Sequence, residues 1–312
     1  MSASRAGLRI VAYCVRPQAY QLIAGWCARE AHTLPLVVTS PGPKSRPTPT
    51  YREVLAAAPR TQEVLVTTRM QRPVPLIREL APDLVISFTF PYRVPPEVVA
   101  IPKYGAVNLH PAPLPLYRGP NPLRSVYDGH PLLGSTLHWT AAEYDTGNVL
   151  AQTTCPLPED RSSESLFGAW FSTMQPALEQ GVARAVAGEP GTPQDEARAS
   201  YGGVFTAEER WLDWNLPATL LQGRATVLAF NTEGLDDHSA PGCLAQIDGA
   251  AYAIQRLTPL RGVAPPAPPG TVLSTAGGVI TVCCKDGLLQ VEAMPIEQAV
   301  RATQNAATEA QA

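Results

Sequence analysis

The sequence predicts an α/β chain in which a doubly wound, mostly parallel sheet precedes a smaller β-rich domain. Three observations carry this expectation. Strand-like and helix-like segments alternate through the first half. A long apolar stripe of helical spacing closes that half, and beyond Phe205 the chain breaks into short apolar runs separated by turn residues. With 312 residues, 45% of them hydrophobic, the chain can bury the cores of two domains.

Strands are expected at Leu8 to Ala12, Leu34 to Thr39, Val64 to Thr67, Leu84 to Phe88 and Ala106 to His110. Helices fall between them around Ala19 to Glu30, Arg52 to Ala58 and Val74 to Leu80. Val149 to Pro156 reads as a further strand. A long amphipathic helix follows from about Ser163 to Ala187, because Leu166, Trp170, Met174, Leu178, Val182 and Val186 recur every four residues. Pro176 should kink it. The Gly-, Pro- and charge-rich stretch 189–204 reads as an interdomain linker between a first domain, 1–188, and a second, 205–300. In the second, runs at Cys243 to Ile247, Tyr252 to Leu257, Thr271 to Leu273, Val279 to Cys284 and Leu288 to Ala293, with an Asp286-Gly287 hairpin signal, suggest a small β-barrel. Residues 301–312 are expected to be a disordered tail.

The most informative stretch runs from Asn108 to Asp145. It reads NLHPAPLPLYRG from Asn108, GSTLH from Gly134 and DTG from Asp145. Alternate side chains of an extended strand share a face, so Asn108 and His110 can aim into one cleft beyond the carboxyl edge of the sheet. An Asn amide can donate to a carbonyl oxygen becoming a tetrahedral oxyanion, a contact worth about 3–4 kcal/mol. His110 can exchange a proton near neutral pH, and Asp145 is the carboxylate that would orient it. No Ser or Cys stands in the cluster as an attacking group, which leaves the amine of a substrate as nucleophile. The first strand is followed by Ala12-Tyr-Cys-Val-Arg-Pro17 rather than GxGxxG, and GxxxxGK[ST] is missing, so neither a dinucleotide cofactor nor a phosphate loop is expected.

The strings NLHPAPLPLYRG and GSTLHWTAAEYDTG resemble the folate-dependent formyltransferases. The resemblance implies transfer of a formyl group from N10-formyltetrahydrofolate to an amine. It also implies a catalytic triad that falls on Asn108, His110 and Asp145, and a carboxy-terminal open β-barrel; it spans about residues 8 to 295. The segment TAEERWLDWNLPATLLQGRATVLAF is similar to the family's interdomain junction. By the same resemblance, backbone groups of Tyr92, Arg93 and Val94 would bind the donor, with Ala141 to Asp145, including Glu143, as the other wall. His138 matches a second His of the family.

The acceptor is read from departures and charge. Members acting on methionyl-tRNA carry a Gly-Thr-Pro turn after the first strand, a basic insertion after the second and an Asn-Pro-Trp-Pro-like string after the junction helix. Here these places read Tyr13-Cys-Val-Arg-Pro17, a Ser40 to Thr50 loop with only Lys44 and Arg46, and Asn231-Thr-Glu-Gly234. From Phe205 onward six Lys and Arg face eleven Asp and Glu, a net charge of −5 on the domain that would lie along tRNA. A small-molecule acceptor is therefore expected: an amino sugar, an amino acid or a secondary-metabolite intermediate. Methionyl-tRNA is the alternative, supported by six cations against two carboxylates between Pro41 and Arg72. A formyltetrahydrofolate hydrolase and a non-catalytic folate-binding protein are further alternatives.

The overall net charge of −3 argues neither for nor against nucleic acid. No apolar run reaches the length of a membrane span and the amino terminus lacks a signal-peptide pattern, so a cytoplasmic protein is expected. The six cysteines show no CxxC spacing and are read as thiols, without a metal, with one of Cys283 and Cys284 facing outward from an alternating strand.

Overall fold

The computed structural model describes residues 7–44, 48–230, 242–260 and 262–309. Arg46, residues 231–234 and the last three residues of the tail, all singled out above, lie outside them. In chain order the elements are β1 (Arg9–Cys14), α1 (Pro17–Arg29), β2 (Thr33–Thr39), α2 (Tyr51–Ala57), β3 (Val64–Val66), α3 (Val74–Leu80), β4 (Leu84–Phe88) and α4 (Pro96–Val99). They continue with β5 (Ala106–His110), α5 (Arg124–Tyr127), β6 (Leu132–Trp139), β7 (Val149–Pro156), α6 (Ser163–Val186), α7 (Ala218–Phe230), β8 (Cys243–Ile247), β9 (Ala250–Leu260), β10 (Val272–Ala276), β11 (Val279–Cys283), β12 (Leu288–Pro295) and α8 (Ile296–Glu309). The chain divides into two compact units. One comprises Met1–Pro122, Leu133–Cys155 and Trp170–Gly202; the other comprises Leu123–Leu132, Pro156–Ala169 and Gly203–Ala312.

The first unit holds a seven-stranded sheet in the order β3-β2-β1-β4-β5-β6-β7. The strands from β3 through β5 pair in parallel, and β6 returns antiparallel to β5. Helices cover both faces. Val11, Tyr13, Leu36, Val38, Val85 and Ala106 pack with Ile77 of α3 and Val98 of α4, while the alternate residues Ile10, Ala12, Val37, Leu84 and Ile86 are buried as completely. Each such aliphatic side chain contributes about 1.5–3 kcal/mol of burial, which is why these strands read as continuous apolar runs. Pro17 opens α1 at a position where its missing N–H costs nothing. Sequence order reverses between β1 and β4, the place where such sheets open a crevice beyond their carboxyl ends.

The second unit holds an antiparallel five-stranded sheet, β10-β11-β12-β9-β8, with β10 and β8 as its edges. Two segments that precede residue 170 belong to this unit. The Tyr127 hydroxyl donates to Glu209 O (2.6 Å), Arg224 Nε donates to Tyr127 O (3.2 Å), Arg124 pairs with Glu209, and Gln222 Nε2 donates to Asp160 Oδ1 (3.0 Å). α6 runs without interruption through Pro176, and Leu166, Trp170, Met174, Leu178 and Val182 of its stripe are buried.

Three expectations differ from the structure. Residues 189–202 of the expected linker are part of the first unit: Val149 and Thr192 exchange backbone hydrogen bonds, and Arg118, Asn121 and Gly202 do the same further on. Residues 301–309 continue α8 instead of forming a disordered tail, because Ile296, Ala299 and Val300 pack against Leu244 and Ala253 and anchor its first turns. Cys283 and Cys284 are both fully buried. β11 ends at Cys283, so Cys284 escapes strand alternation. It sits in the turn with its N–H on Gly287 O and its Sγ 3.3 Å from the same oxygen. All six cysteines are free thiols.

Candidate active site

The face of β5 that packs at Ala106 into the core below α3 and α4 turns polar at Asn108 and His110, as the strand reaches its carboxyl end. Antiparallel pairing sets His138 of β6 directly opposite Asn108, and Thr136 opposite His110. The β6–β7 connection then carries Asp145 over this edge. Its φ is +58°, in the left-handed region that Asp tolerates better than most residues. Gly147 makes the return possible: a Cβ there would lie 1.7 Å from Trp139 O.

Four groups converge on the Asp145 carboxylate, which is 9% exposed. Oδ1 accepts from Asn108 Nδ2 at 3.1 Å and lies 3.5 Å from both His110 Nδ1 and His138 Nε2; Oδ2 accepts the Gly119 N–H at 2.8 Å. Asn108 Nδ2 is also 3.1 Å from His138 Nε2. The carbonyls fix the tautomers, since a carbonyl can only accept. His110 Nε2 donates to Tyr117 O at 2.8 Å, leaving Nδ1 as the position that faces Asp145. His138 Nδ1 donates to Trp139 O at 2.8 Å, so its Nε2 accepts from Asn108. Both amide hydrogens of Asn108 are therefore engaged, one by His138 and one by Asp145.

Burial is the largest influence on both members of the His110–Asp145 pair. It pushes His110 below its ordinary 6.5, against the pull of the Asp145 charge and the bond to Tyr117 O. For Asp145 burial would raise the carboxyl, but His110, His138 and the Gly119 N–H together outweigh it and hold it at about 2. At neutral pH the pair is thus a carboxylate facing a neutral imidazole whose Nδ1 is open to a proton.

The backbone around the carboxylate is clamped by residues that sequence reading missed. Gln194 Nε2 donates to Asp145 O and Gly147 O, both at 2.8 Å. Gln194 Oε1 accepts from Arg118 Nε and Nη2, and Arg118 pairs with Glu196 at 2.7 Å. Ser200 Oγ accepts the Tyr117 N–H at 2.9 Å. The signal was hidden because Gln194 lies in a stretch whose composition reads as linker, while Tyr117 and Gly119 act through main-chain atoms that any residue carries.

The five residues expected around a donor lie on two loops, one after β4 and one after β6. Val94 is buried, Tyr92 half-buried, and Arg93, Ala141 and Glu143 exposed. Arg93 joins the loops: Nη1 donates to Ala142 O at 2.8 Å, lies 4.0 Å from Glu143, and the guanidinium stands 5.5 Å from the centre of the Tyr144 ring. Two hydroxyl oxygens in these loops, Thr89 Oγ1 and Thr140 Oγ1, are buried without a hydrogen-bond partner. Among the described residues no group of three His, Cys, Asp or Glu side chains could hold a metal ion, and no helix is long and apolar enough to cross a membrane.

Residues 47–175 match the family model described as formyl transferase. A methionyl-tRNA formyltransferase of Roseiflexus castenholzii is 34% identical over 218 residues, 69% of this chain and 66% of that relative. Another, of Thiobacillus denitrificans, is 30% identical over 267 residues, 83% of this chain and 82% of that relative. Among solved structures, HypX from Aquifex aeolicus superposes with a TM-score of 0.63 at 19% identity; the match covers 96% of this chain, which spans half of HypX. An N-formyltransferase from Helicobacter canadensis, in complex with folinic acid and dTDP-3-aminofucose, superposes with a TM-score of 0.57 at 15% identity, over 92% of this chain and 100% of that one. At such identities the structural likeness is one of fold, whereas relatives at 30% identity and above across most of both chains establish descent. The chain belongs to the folate-dependent formyltransferase family.

Proposed function

We propose that the chain transfers the formyl group of N10-formyltetrahydrofolate to the amine of a small-molecule acceptor in the cytoplasm. The observation that carries this reading is the convergence of Asn108, His110 and Asp145 on one buried point at the sheet's carboxyl edge. The amine attacks the formyl carbon, and the new C–N bond places negative charge on the former carbonyl oxygen. The proton lost by the amine passes to His110 Nδ1 or Asp145, directly or through water, and then to the folate nitrogen as its bond to the formyl carbon breaks. Once His110 carries a proton on Nδ1 it forms a charged pair with Asp145 Oδ1. That frees the Asn108 N–H which the carboxylate holds at 3.1 Å in the resting state, and the freed N–H can donate to the oxyanion.

The loops 89–95 and 141–145 suit a polar donor. Two unpartnered hydroxyls, Thr89 in the first loop and Thr140 just before the second, are groups that a heterocycle edge could satisfy, and Arg93 bonds across from one loop to the other. The small-molecule reading is supported by the three departures named above and by the net charge of −5 beyond Phe205.

Methionyl-tRNA is the second reading. It is favoured by the names of the relatives and by the exposed cations Lys44, Arg52, Arg60, Arg69 and Arg72. Incubation of the protein and isotope-labelled formyl donor with charged tRNA and, separately, with pooled host amines decides between them. Label is expected in the small-amine fraction. Label in tRNA that falls steeply with added salt would establish the second reading instead, and formate released without any amine would make the chain a hydrolase.

A further inference from the structure

The connection from β6 to β7 is fastened at both ends. At its start Thr140 N donates to Ala106 O at 2.9 Å, and at its end Gln194 holds Asp145 O and Gly147 O while Trp139 N donates to Asn148 O at 3.0 Å. Between these ends Ala141, Ala142, Glu143 and Tyr144 are all exposed. Among the described residues, one side chain outside the connection supplies every hydrogen bond, ion pair and cation–π contact that this stretch makes. Arg93 Nη1 donates to Ala142 O and lies 4.0 Å from Glu143, and its guanidinium stands over the Tyr144 ring.

The two loops are rooted very differently. On one side of Arg93, Phe90 packs on the core and meets the Tyr13 ring edge-on at 5.1 Å; on the other, Val94 is buried in the same core. Ala141 to Tyr144 bury no side chain. A stretch with so few buried contacts opens at low free energy, so its position depends on the few bonds that cross to it. A guanidinium suits the crossing, because it can donate along its edge to a carbonyl and also interact with an aromatic ring.

Resting on the formyl-transfer reading, we propose that the Arg93 side chain is a latch: a positioning residue that holds the strap Ala141 to Tyr144 to the loop after β4 and thereby slows the escape of a bound folate donor. On that reading the donor's contacts are main-chain groups of these two loops. Its retention then depends on the loops staying together, whatever the Arg93 side chain itself touches.

Chymotrypsin cleavage after Tyr144, located by mass spectrometry, reads the strap in the ligand-free full chain. Stopped-flow release of tetrahydrofolate reads the donor. The Arg93 side chain is 59% exposed, so Arg93→Ala should fold with an unchanged urea midpoint. It should be cleaved about five- to twentyfold faster than the wild type and release tetrahydrofolate faster by a similar factor, the combined effect of three individually weak, exposed contacts. Arg93→Lys keeps a donor and a charge and should stay within about threefold of the wild type in both measurements. Cleavage of Arg93→Ala at the wild-type rate would overturn the latch, as would faster cleavage with unchanged tetrahydrofolate release. A lowered urea midpoint in Arg93→Ala with no recovery in Arg93→Lys would also overturn it, since the side chain would then only support the fold. A wild type that binds no tetrahydrofolate would instead bring down the formyl-transfer reading and the donor's part in the proposal, while the cleavage rates would still judge whether Arg93 holds the strap.

Discussion

Asp145→Asn is the substitution that isolates charge from shape at the centre of the site. Asp145 has φ +58°, so alanine there would add backbone strain to the loss of the carboxylate, whereas asparagine accepts the left-handed region as readily as aspartate. The side chain keeps an oxygen for the Gly119 N–H, but its amide meets Asn108 Nδ2 and the open Nδ1 of His110 without negative charge. Removing a positioned proton acceptor costs about two to four orders of magnitude in rate, and we expect a fall of about a thousandfold in kcat with donor KM little changed.

The stability consequence follows from the same contacts. The contacts hold Asp145 at about 2 in the fold against an ordinary 3.8, which corresponds to about 2–3 kcal/mol favouring the charged form. A carboxyl lowered by folding stabilises the protein above its unfolded pKa and loses that contribution as pH falls through its folded one. The gap between wild type and Asp145→Asn should therefore be present at pH 7 and close between about pH 4 and pH 2. Urea unfolding at a series of pH values reads it, alongside steady-state kinetics at pH 7. Turnover within threefold of wild type, or a stability gap independent of pH, would refute the account of Asp145 as a charged proton acceptor.

Other expectations follow from neighbouring contacts. Burial lowers His110, so the acid limb of the kcat/KM profile should lie below pH 6.5, and in Asp145→Asn, where the raising influence of the carboxylate is gone, it should move lower still; a limb at or above 6.5 would contradict a neutral His110. Because the unfolded chain binds that proton more readily, His110 also contributes to loss of stability as pH falls below 6.5. Gln194→Ala removes two hydrogen bonds from the main chain of residues 145 and 147; it should cost about 1–2 kcal/mol in unfolding free energy and lower kcat several-fold, and an unchanged kcat would show that the Asp145 loop needs no clamp. In the second unit, Arg161 has Nε and Nη1 buried without a partner, its Cδ against the space left by Gly223. Arg161→Met should raise unfolding free energy by about 1–2 kcal/mol, and a drop of that size would show the guanidinium to be satisfied in solution.

The alternation of apolar runs was enough to place every strand of β1 through β5, because a parallel sheet buried on both faces leaves its strands uniformly apolar. What it could not show is the helical nature of residues 301–309: the α8 sequence is mostly polar or small, and among its described side chains Ile296, Ala299 and Val300 pack against the sheet. The linker reading of 189–202 failed for a related reason. Gly, Pro and charge describe a segment without a core of its own, but this one is held by backbone pairing to residues 118, 121 and 149, which composition does not encode.

At the site, the sequence alone determined the chemical inventory, since side-chain identity and strand periodicity place an amide, an imidazole and a carboxylate within reach of one edge. Only the tertiary structure decided their states. The register of β5 with β6 sets His138 opposite Asn108, and burial makes His110 neutral. Two carbonyls choose the tautomers, and a main-chain N–H from Gly119 anchors Asp145. Each of these depends on atoms brought together from positions far apart in the chain, several of them backbone atoms that carry no residue-specific signal, so that their effect exists only once the chain has folded.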